Sequence, residues 1–174
     1  MNPASSKRHL DKSILYAIGS GHGMVPPKSA FLSADFSAIA HATEDIDKVE
    51  QAVRSLVAWL SRSKVNLTRQ YVKGHHGNVI TTISAKLSGK ELYPEALTLL
   101  SQKLSESDRR FLFDHVQSCV DQDRNLYLRF DKQEAFFGSI RLHEGDPIRA
   151  KFKFASMYDV ERIVSFCKES GLIL

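Results

Sequence analysis

The sequence predicts an α+β protein, in the form of a two-layer sandwich whose mainly antiparallel sheet carries helices on one side. Segments with period-two alternation are mostly separated by short turns, as in antiparallel hairpins. Between them lie segments whose apolar residues recur at helical spacing. Hydrophobic residues make up 43% of the 174-residue chain, which is enough to bury a core and argues against a disordered polymer.

The N-terminal residues differ in composition from the rest of the chain. A glycine-rich stretch at 19–23 is followed by Pro26-Pro27, a pattern typical of a linker. We therefore expect residues 1–29 to be a flexible extension and residues 30–174 to form a single α+β domain. No apolar run approaches the roughly 20 residues needed to cross a bilayer, so we expect a cytoplasmic protein without a membrane partner.

The first half of the domain reads as strand, helix and hairpin. Alternation over residues 32–40 predicts a strand, and Thr43 is the expected N-cap of an amphipathic helix that ends near Ser61. The segments Leu67–Lys73 and Val79–Leu87 then form two strands around a Gly- and Asn-containing turn.

The second half is expected to add three helices and three strands. Helices are predicted to begin at Pro94, near Ser105 and near Asp159, the last ending at Gly171. The three predicted strands are Asn125–Phe130, Phe136–His143 and Ile148–Ala155.

A basic face is the main candidate site. In the last strand Arg149, Lys151 and Lys153 alternate with apolar residues, and we expect Arg129 and Arg141 of the neighbouring strands to share their face. Such a face can pair with phosphates and stack on unpaired bases. It can equally be the solvated side of an antiparallel sheet, with its charges discouraging edge pairing.

The polar run Asp131-Lys132-Gln133 separates two of the predicted strands. It is either a structural turn or a loop in which Lys132 and Gln133 contact phosphate or sugar.

The hairpin tip His75-His76-Gly77-Asn78 is a second candidate site. Net charge is only +4, but residues 62–90 contain six Lys or Arg and no Asp or Glu. The tip, with Arg69 and Lys73, can contact RNA backbone, or it can be a plain surface turn. A metal site is disfavoured because no carboxylate or cysteine lies nearby in the sequence.

Four phrases, in order, resemble a small archaeal family of predicted exosome-associated RNA-binding proteins. They are Thr43-Glu44-Asp45 with Lys48-Val49, His75-His76-Gly77-Asn78, Asp108-Arg109, and Leu128-Arg129-Phe130-Asp131-Lys132-Gln133 followed by Ala135, Phe137 and Gly138. The resemblance covers roughly residues 31–155. It implies an RNA partner and association with RNA processing or exosome-mediated degradation.

We therefore expect a non-catalytic RNA-binding protein with no cofactor, no metal and no preference for DNA. The residues expected to contact RNA are Arg69, Lys73, His75, His76, Asn78, Arg129, Lys132, Gln133, Arg141, Arg149, Lys151 and Lys153. The alternatives are a small metal-dependent nuclease or phosphoesterase that uses His75 and His76, and a protein–protein adaptor without RNA affinity.

Overall fold

A five-stranded antiparallel sheet with helices forms the described part of the protein, which comprises residues 30–73 and 79–174 of a computed structural model. The strands are β1 (Phe31–Ala40), β2 (Thr68–Lys73), β3 (Val79–Ser88), β4 (Asn125–Phe130) and β5 (Ile148–Phe154). The helices are α1 (Ile46–Leu60), α2 (Ala96–Ser101), α3 (Glu106–His115), α4 (Lys132–Phe136) and α5 (Val160–Glu169), with a 3-10 turn at Val116–Cys119. The predicted α+β fold with an antiparallel sheet is confirmed.

The strand order is β2-β3-β1-β5-β4, which places β1 at the centre. Alternation in β1 buries Ala34, Phe36 and Ala38 on one face and leaves the residues between them partly exposed. Phe36 meets Phe152 of β5 edge to face, with ring centroids 5.8 Å apart. Burying such a ring contributes roughly 1.5–3 kcal/mol, so the two central strands anchor the core.

Helix α1 begins two residues later than the sequence suggested. The expected N-cap Thr43 is wrong: the Asp45 carboxylate accepts hydrogen bonds from the backbone N–H groups of Asp47 and Lys48, at 3.0 and 3.3 Å. Glu44 instead turns back and accepts from the backbone N–H of His41 at 2.9 Å. This reversal leaves the Glu44 carboxylate beside the sheet rather than on the helix.

The predicted strand Phe136–His143 is wrong. The Asp131 carboxylate caps helix α4 by accepting from the N–H groups of Gln133 and Glu134, at 2.8 and 3.0 Å. Ala135 is buried, and Gly138 follows the helix with a positive φ of 82°. Leu142 alone keeps a strand-like contact in this segment, as an isolated bridge to Phe130. On the side away from β1, β5 therefore pairs with β4, and the sheet has five strands instead of the six expected.

The C-terminal helix follows its sequence signals. Asp159 caps α5 by accepting from the backbone N–H of Arg162 at 2.8 Å, and Gly171 ends it with a φ of 71°. Ile163 and Cys167 are buried. None of the helices in residues 30–73 and 79–174 is long and apolar enough to cross a membrane.

Candidate nucleic-acid interface

One side of the sheet faces away from the helices, and strand pairing decides which side chains lie on it. Tyr127 of β4 is opposite Lys151 of β5, Lys151 is opposite Asp35 of β1, and Asp35 is opposite Lys86 of β3. Cross-strand partners share a face, so these rows define the open face. Its residues include Tyr127, Arg129, Arg149, Lys151, Lys153, Ser33, Asp35, Ser37, Ser84 and Lys86.

Strand β5 places its three cations on the open face, as its alternation predicted. Lys151 lies 3.6 Å from Asp35, whose other oxygen is 3.7 Å from Lys86. Arg149 is exposed, and neither it nor Lys153 has an ion-pair partner among the described residues. Basic side chains on this face thus outnumber the carboxylates that neutralise them.

Two arginines face each other at the centre of this basic region. Arg129 of β4 is directly opposite Arg149 of β5, and Arg149 is opposite Ser37 of β1. Like charges at opposite positions are destabilising. The guanidinium of Arg129 pairs with Glu144, which leaves the charge of Arg149 unbalanced.

Tyr127 is fixed at the edge of the open face. Its hydroxyl donates to Asp121 at 2.9 Å, and this hydrogen bond raises the pKa of the tyrosine. Partial burial acts to raise the pKa of Asp121, but hydrogen bonds from Asn125 and Tyr127 bring it below its usual value. The ring therefore stands in one orientation, with 43% of its surface exposed.

Arg69 and Lys73 lie on the other side of the sheet. Arg69 is opposite the buried Ile83, and it donates to Asp47 and Glu50 of α1, in each case at 2.6 Å. These hydrogen bonds raise the pKa of Arg69 further. Lys73 follows Arg69 by four residues in β2, so it lies on the same side of the sheet. The two residues are therefore separated from the β5 cations, and the predicted hairpin residues His75, His76 and Asn78 lie outside the described residues.

Lys132 lies almost entirely inside the protein. Its ammonium donates to the Ile39 carbonyl at 2.9 Å and to Glu44 at 2.8 Å, and it pairs with Asp146 at 2.5 Å. An ammonium has three N–H bonds, and three acceptor groups surround this one: the Ile39 carbonyl and the carboxylates of Glu44 and Asp146. The geometry favours the structural interpretation of the Asp131-Lys132-Gln133 run, in which Asp131 caps a helix and Lys132 joins Glu44 to Asp146. We call the group Lys132, Glu44 and Asp146 the clasp.

Gln133 and Phe137 flank a shallow groove beside this clasp. The groove has a volume of about 500 Å³, and its other lining residues come from the segment before α1, from the first turn of α1 and from α4. Gln133 is exposed, and Phe137 is 80% exposed. Gln133 is thus free to meet a ligand, unlike its neighbour Lys132.

The strand that was expected to place Arg141 on the face of Arg149 does not form. It lies in the loop after α4, close to Glu134 and to the start of α3 at Ser105. Its backbone carbonyl accepts from the N–H of Asp131 at 2.9 Å. Arg141 therefore lacks the regular strand position that was expected for it, and its contact with RNA stays a prediction.

The clasp also brings together three potential metal ligands, His41, Glu44 and Asp146, whose ligand atoms lie within 4.8 Å of one another. The ammonium of Lys132 already pairs with both carboxylates. Because this cation balances their charge, the arrangement does not fit a divalent ion. No sequence pattern indicated Asp146 as a partner of Lys132, although Glu44 belongs to one of the family-like phrases.

An antiparallel sheet with one helix-covered face and one basic open face defines a small α+β binding protein. The chain belongs to the RNA_binding family, described as RNA binding, whose profile matches residues 33–154.

Curated relatives support this assignment. An RNA-binding protein of Pyrococcus abyssi is 33% identical over 109 residues, which cover 62% of this chain and 71% of the relative. An uncharacterized protein of Methanocaldococcus jannaschii is also 33% identical, over 70% of this chain and 83% of its own length.

Solved structures share the fold. A DUF54 protein of Archaeoglobus fulgidus superposes with a TM-score of 0.65 at 25% identity, over 80% of this chain and 99% of its own. The DUF54 protein Mth689 of Methanothermobacter thermautotrophicus gives 0.61 at 27% identity, over 80% and 97%.

Proposed function

We propose that this protein binds RNA without catalysing a reaction, and that the open face of its sheet is the binding surface. The observation that carries the proposal is the register that sets Arg149 directly opposite Arg129. A phosphate between the two guanidinium groups would relieve their repulsion and accept charge-assisted hydrogen bonds.

The surroundings of this arginine pair suit a nucleic-acid backbone. Lys151 and Lys153 continue the positive charge along β5, and Ser33 and Ser37 lie beside them on β1. Short hydroxyl side chains leave room for a phosphate and can donate to it. The exposed ring of Tyr127 adds a surface on which an unpaired base can stack.

Family membership and the name of the Pyrococcus relative support RNA as the ligand. The family resemblance in the sequence further supports a role beside RNA-processing proteins or the exosome. Copurification of exosome subunits with the full chain from native cells tests that role. Recovery of RNA without any such subunit would contradict it.

The metal-dependent nuclease is the weaker candidate. The described cluster of possible ligands holds the Lys132 ammonium, and His75 and His76 lie outside the described residues. Incubation of the protein with RNA and divalent ions should leave the RNA intact.

The binding surface is tested by comparing two triple variants of equal charge change. Arg149, Lys151 and Lys153 are changed together to Gln on the open face. The control changes Lys64, Arg110 and Lys168, which are exposed and have no described ion pair, to Gln. The first variant should bind RNA roughly tenfold or more weakly at moderate salt, and the control should bind nearly as well as the unmodified protein. Equal loss in both would mean that only net charge matters.

A further inference from the structure

A pocket of about 270 Å³ lies beyond the β4 edge of the sheet, where the open face meets α3. We call it the edge pocket. The lining residues that matter for its chemistry are Phe111, His115, Cys119, Tyr127, Arg129 and Glu144. Tyr127 and Arg129 belong to both the pocket and the open face. A strand of RNA lying on that face would therefore reach the pocket without leaving the protein surface.

The walls of the edge pocket are exposed aromatic rings. Phe111 and His115 stack on each other with centroids 4.3 Å apart and planes tilted by 26°. Phe111 is 42% exposed, and Tyr127 is exposed to a similar extent. Aromatic faces left open beside a cationic surface suit the stacking of unpaired bases.

Hydrogen bonds hold these rings in place before any ligand arrives. The Nδ1 of His115 is 2.8 Å from the Phe111 carbonyl. Because a carbonyl only accepts, Nδ1 carries the hydrogen, and Nε2 of the neutral ring remains an acceptor. Tyr127 is fixed in the same way by its bond to Asp121. Rings that are already oriented lose less entropy on binding.

The polar groups of the pocket are suited to binding and not to covalent chemistry. Arg129 offers a planar guanidinium, and its partner Glu144 offers a carboxylate. Burial raises the pKa of Cys119, and the carboxylate of Glu144 raises it further. A thiol that stays protonated is a poor nucleophile, so Cys119 serves only as a wall.

We propose that the edge pocket binds one unpaired nucleobase of an RNA strand that crosses the open face. The pocket is smaller than the roughly 300–1,000 Å³ typical of sites for drug-sized molecules, which suits a single base. The side of the pocket nearest the sheet adjoins the cations of β5, since Arg129 is opposite Arg149 and Tyr127 is opposite Lys151. The inference rests on the proposed RNA-binding function and adds base recognition to it.

The test compares a short single-stranded RNA with the same ribose-phosphate chain lacking bases. The variant is Phe111→Ala, and the control is Phe113→Ala on the same helix, which is 51% exposed and lines a different surface. Phe111→Ala should weaken binding of the base-containing RNA by about five- to 150-fold, the range for loss of a stacking aromatic. Binding of the abasic chain should not change. Tyr127→Leu is a second variant with the same expectation, should Phe111→Ala fold poorly.

The outcomes separate the two proposals. If neither Phe111→Ala nor Tyr127→Leu weakens RNA binding, while the Gln triple variant on β5 does, the base pocket is refuted and the binding face stands. Equal weakening of the base-containing and abasic chains would also overturn the pocket. No binding of either chain by the unmodified protein would overturn both proposals.

Discussion

The Nζ atom of Lys132 lies 2.8 Å from Oε1 of Glu44, across 88 positions of sequence. Each residue belongs to one of the family-like phrases, Asp131-Lys132-Gln133 and Thr43-Glu44-Asp45. The contact ties the start of α4 to the segment before α1, and Asp146 adds the turn before β5. The two phrases therefore meet in space, and the contact between them is structural.

Lys132→Ala should lower the free energy of unfolding by about 2 kcal/mol. The change leaves the carboxylates of Glu44 and Asp146 without their shared cation, and a hydrogen bond to a charged group contributes about 1.5–3 kcal/mol. Gln133→Ala is the matched control, because Gln133 is adjacent and exposed and should cost under about 0.5 kcal/mol. Urea denaturation measures both. Equal stability of the two variants would show that the clasp contributes nothing.

Asp131→Ala should cost about 1 kcal/mol, the usual effect of losing an N-cap. The carboxylate accepts from the N–H groups of Gln133 and Glu134, and no methyl group can replace those bonds. Asp131→Asn retains a capping oxygen and should lose far less. Thermal melting of both variants checks the assignment, and an alanine variant as stable as the asparagine variant would contradict it.

Asp146→Asn should reveal the pH dependence of the clasp. Partial burial acts to raise the pKa of Asp146, but the hydrogen bond and charge of Lys132 bring it below its usual value. A depressed pKa adds stability above the usual value of about 4 and loses it as pH falls through the folded-state value. Asparagine tolerates the positive φ of 45° at this position.

The stability difference between the unmodified protein and Asp146→Asn should thus be present at pH 7 and shrink below about pH 4. Denaturation at a series of pH values measures it. A difference that is constant across the range would mean that the Asp146 charge is not involved.

Four of the strands that the sequence predicted, β1, β3, β4 and β5, have one buried face and one open face, whereas the predicted strand β2 is exposed along its whole length. In β1 and β5, buried and more exposed residues alternate along the sequence. The more exposed positions include Ile39 of β1 and the three cations of β5. Helix α4 could not be predicted in this way, because five residues are too few for a helical period. Its position depends on the Asp131 cap and on packing of Ala135, which is a tertiary effect.

The candidate site was only partly predictable for a related reason. The sequence of β2 indicates a basic segment, but only its register with β3 shows that Arg69 faces α1 while Arg149 faces outward. Phe111 likewise has core spacing on α3, yet it lines the edge pocket because Leu112 takes the inward position. The side of the sheet or helix on which such a residue lies depends on strand pairing and helix packing, which local sequence patterns do not encode.

The salt dependence of RNA binding tests the central claim most directly. For single strands, the slope of log affinity against log salt is about −0.7 per neutralised phosphate. If Arg149, Lys151 and Lys153 each contact a phosphate, changing all three to Gln should make the slope less steep by about 2 units. The Lys64, Arg110 and Lys168 control should keep the original slope. Parallel slopes for the β5 variant and the unmodified protein would show that RNA does not bind the open face.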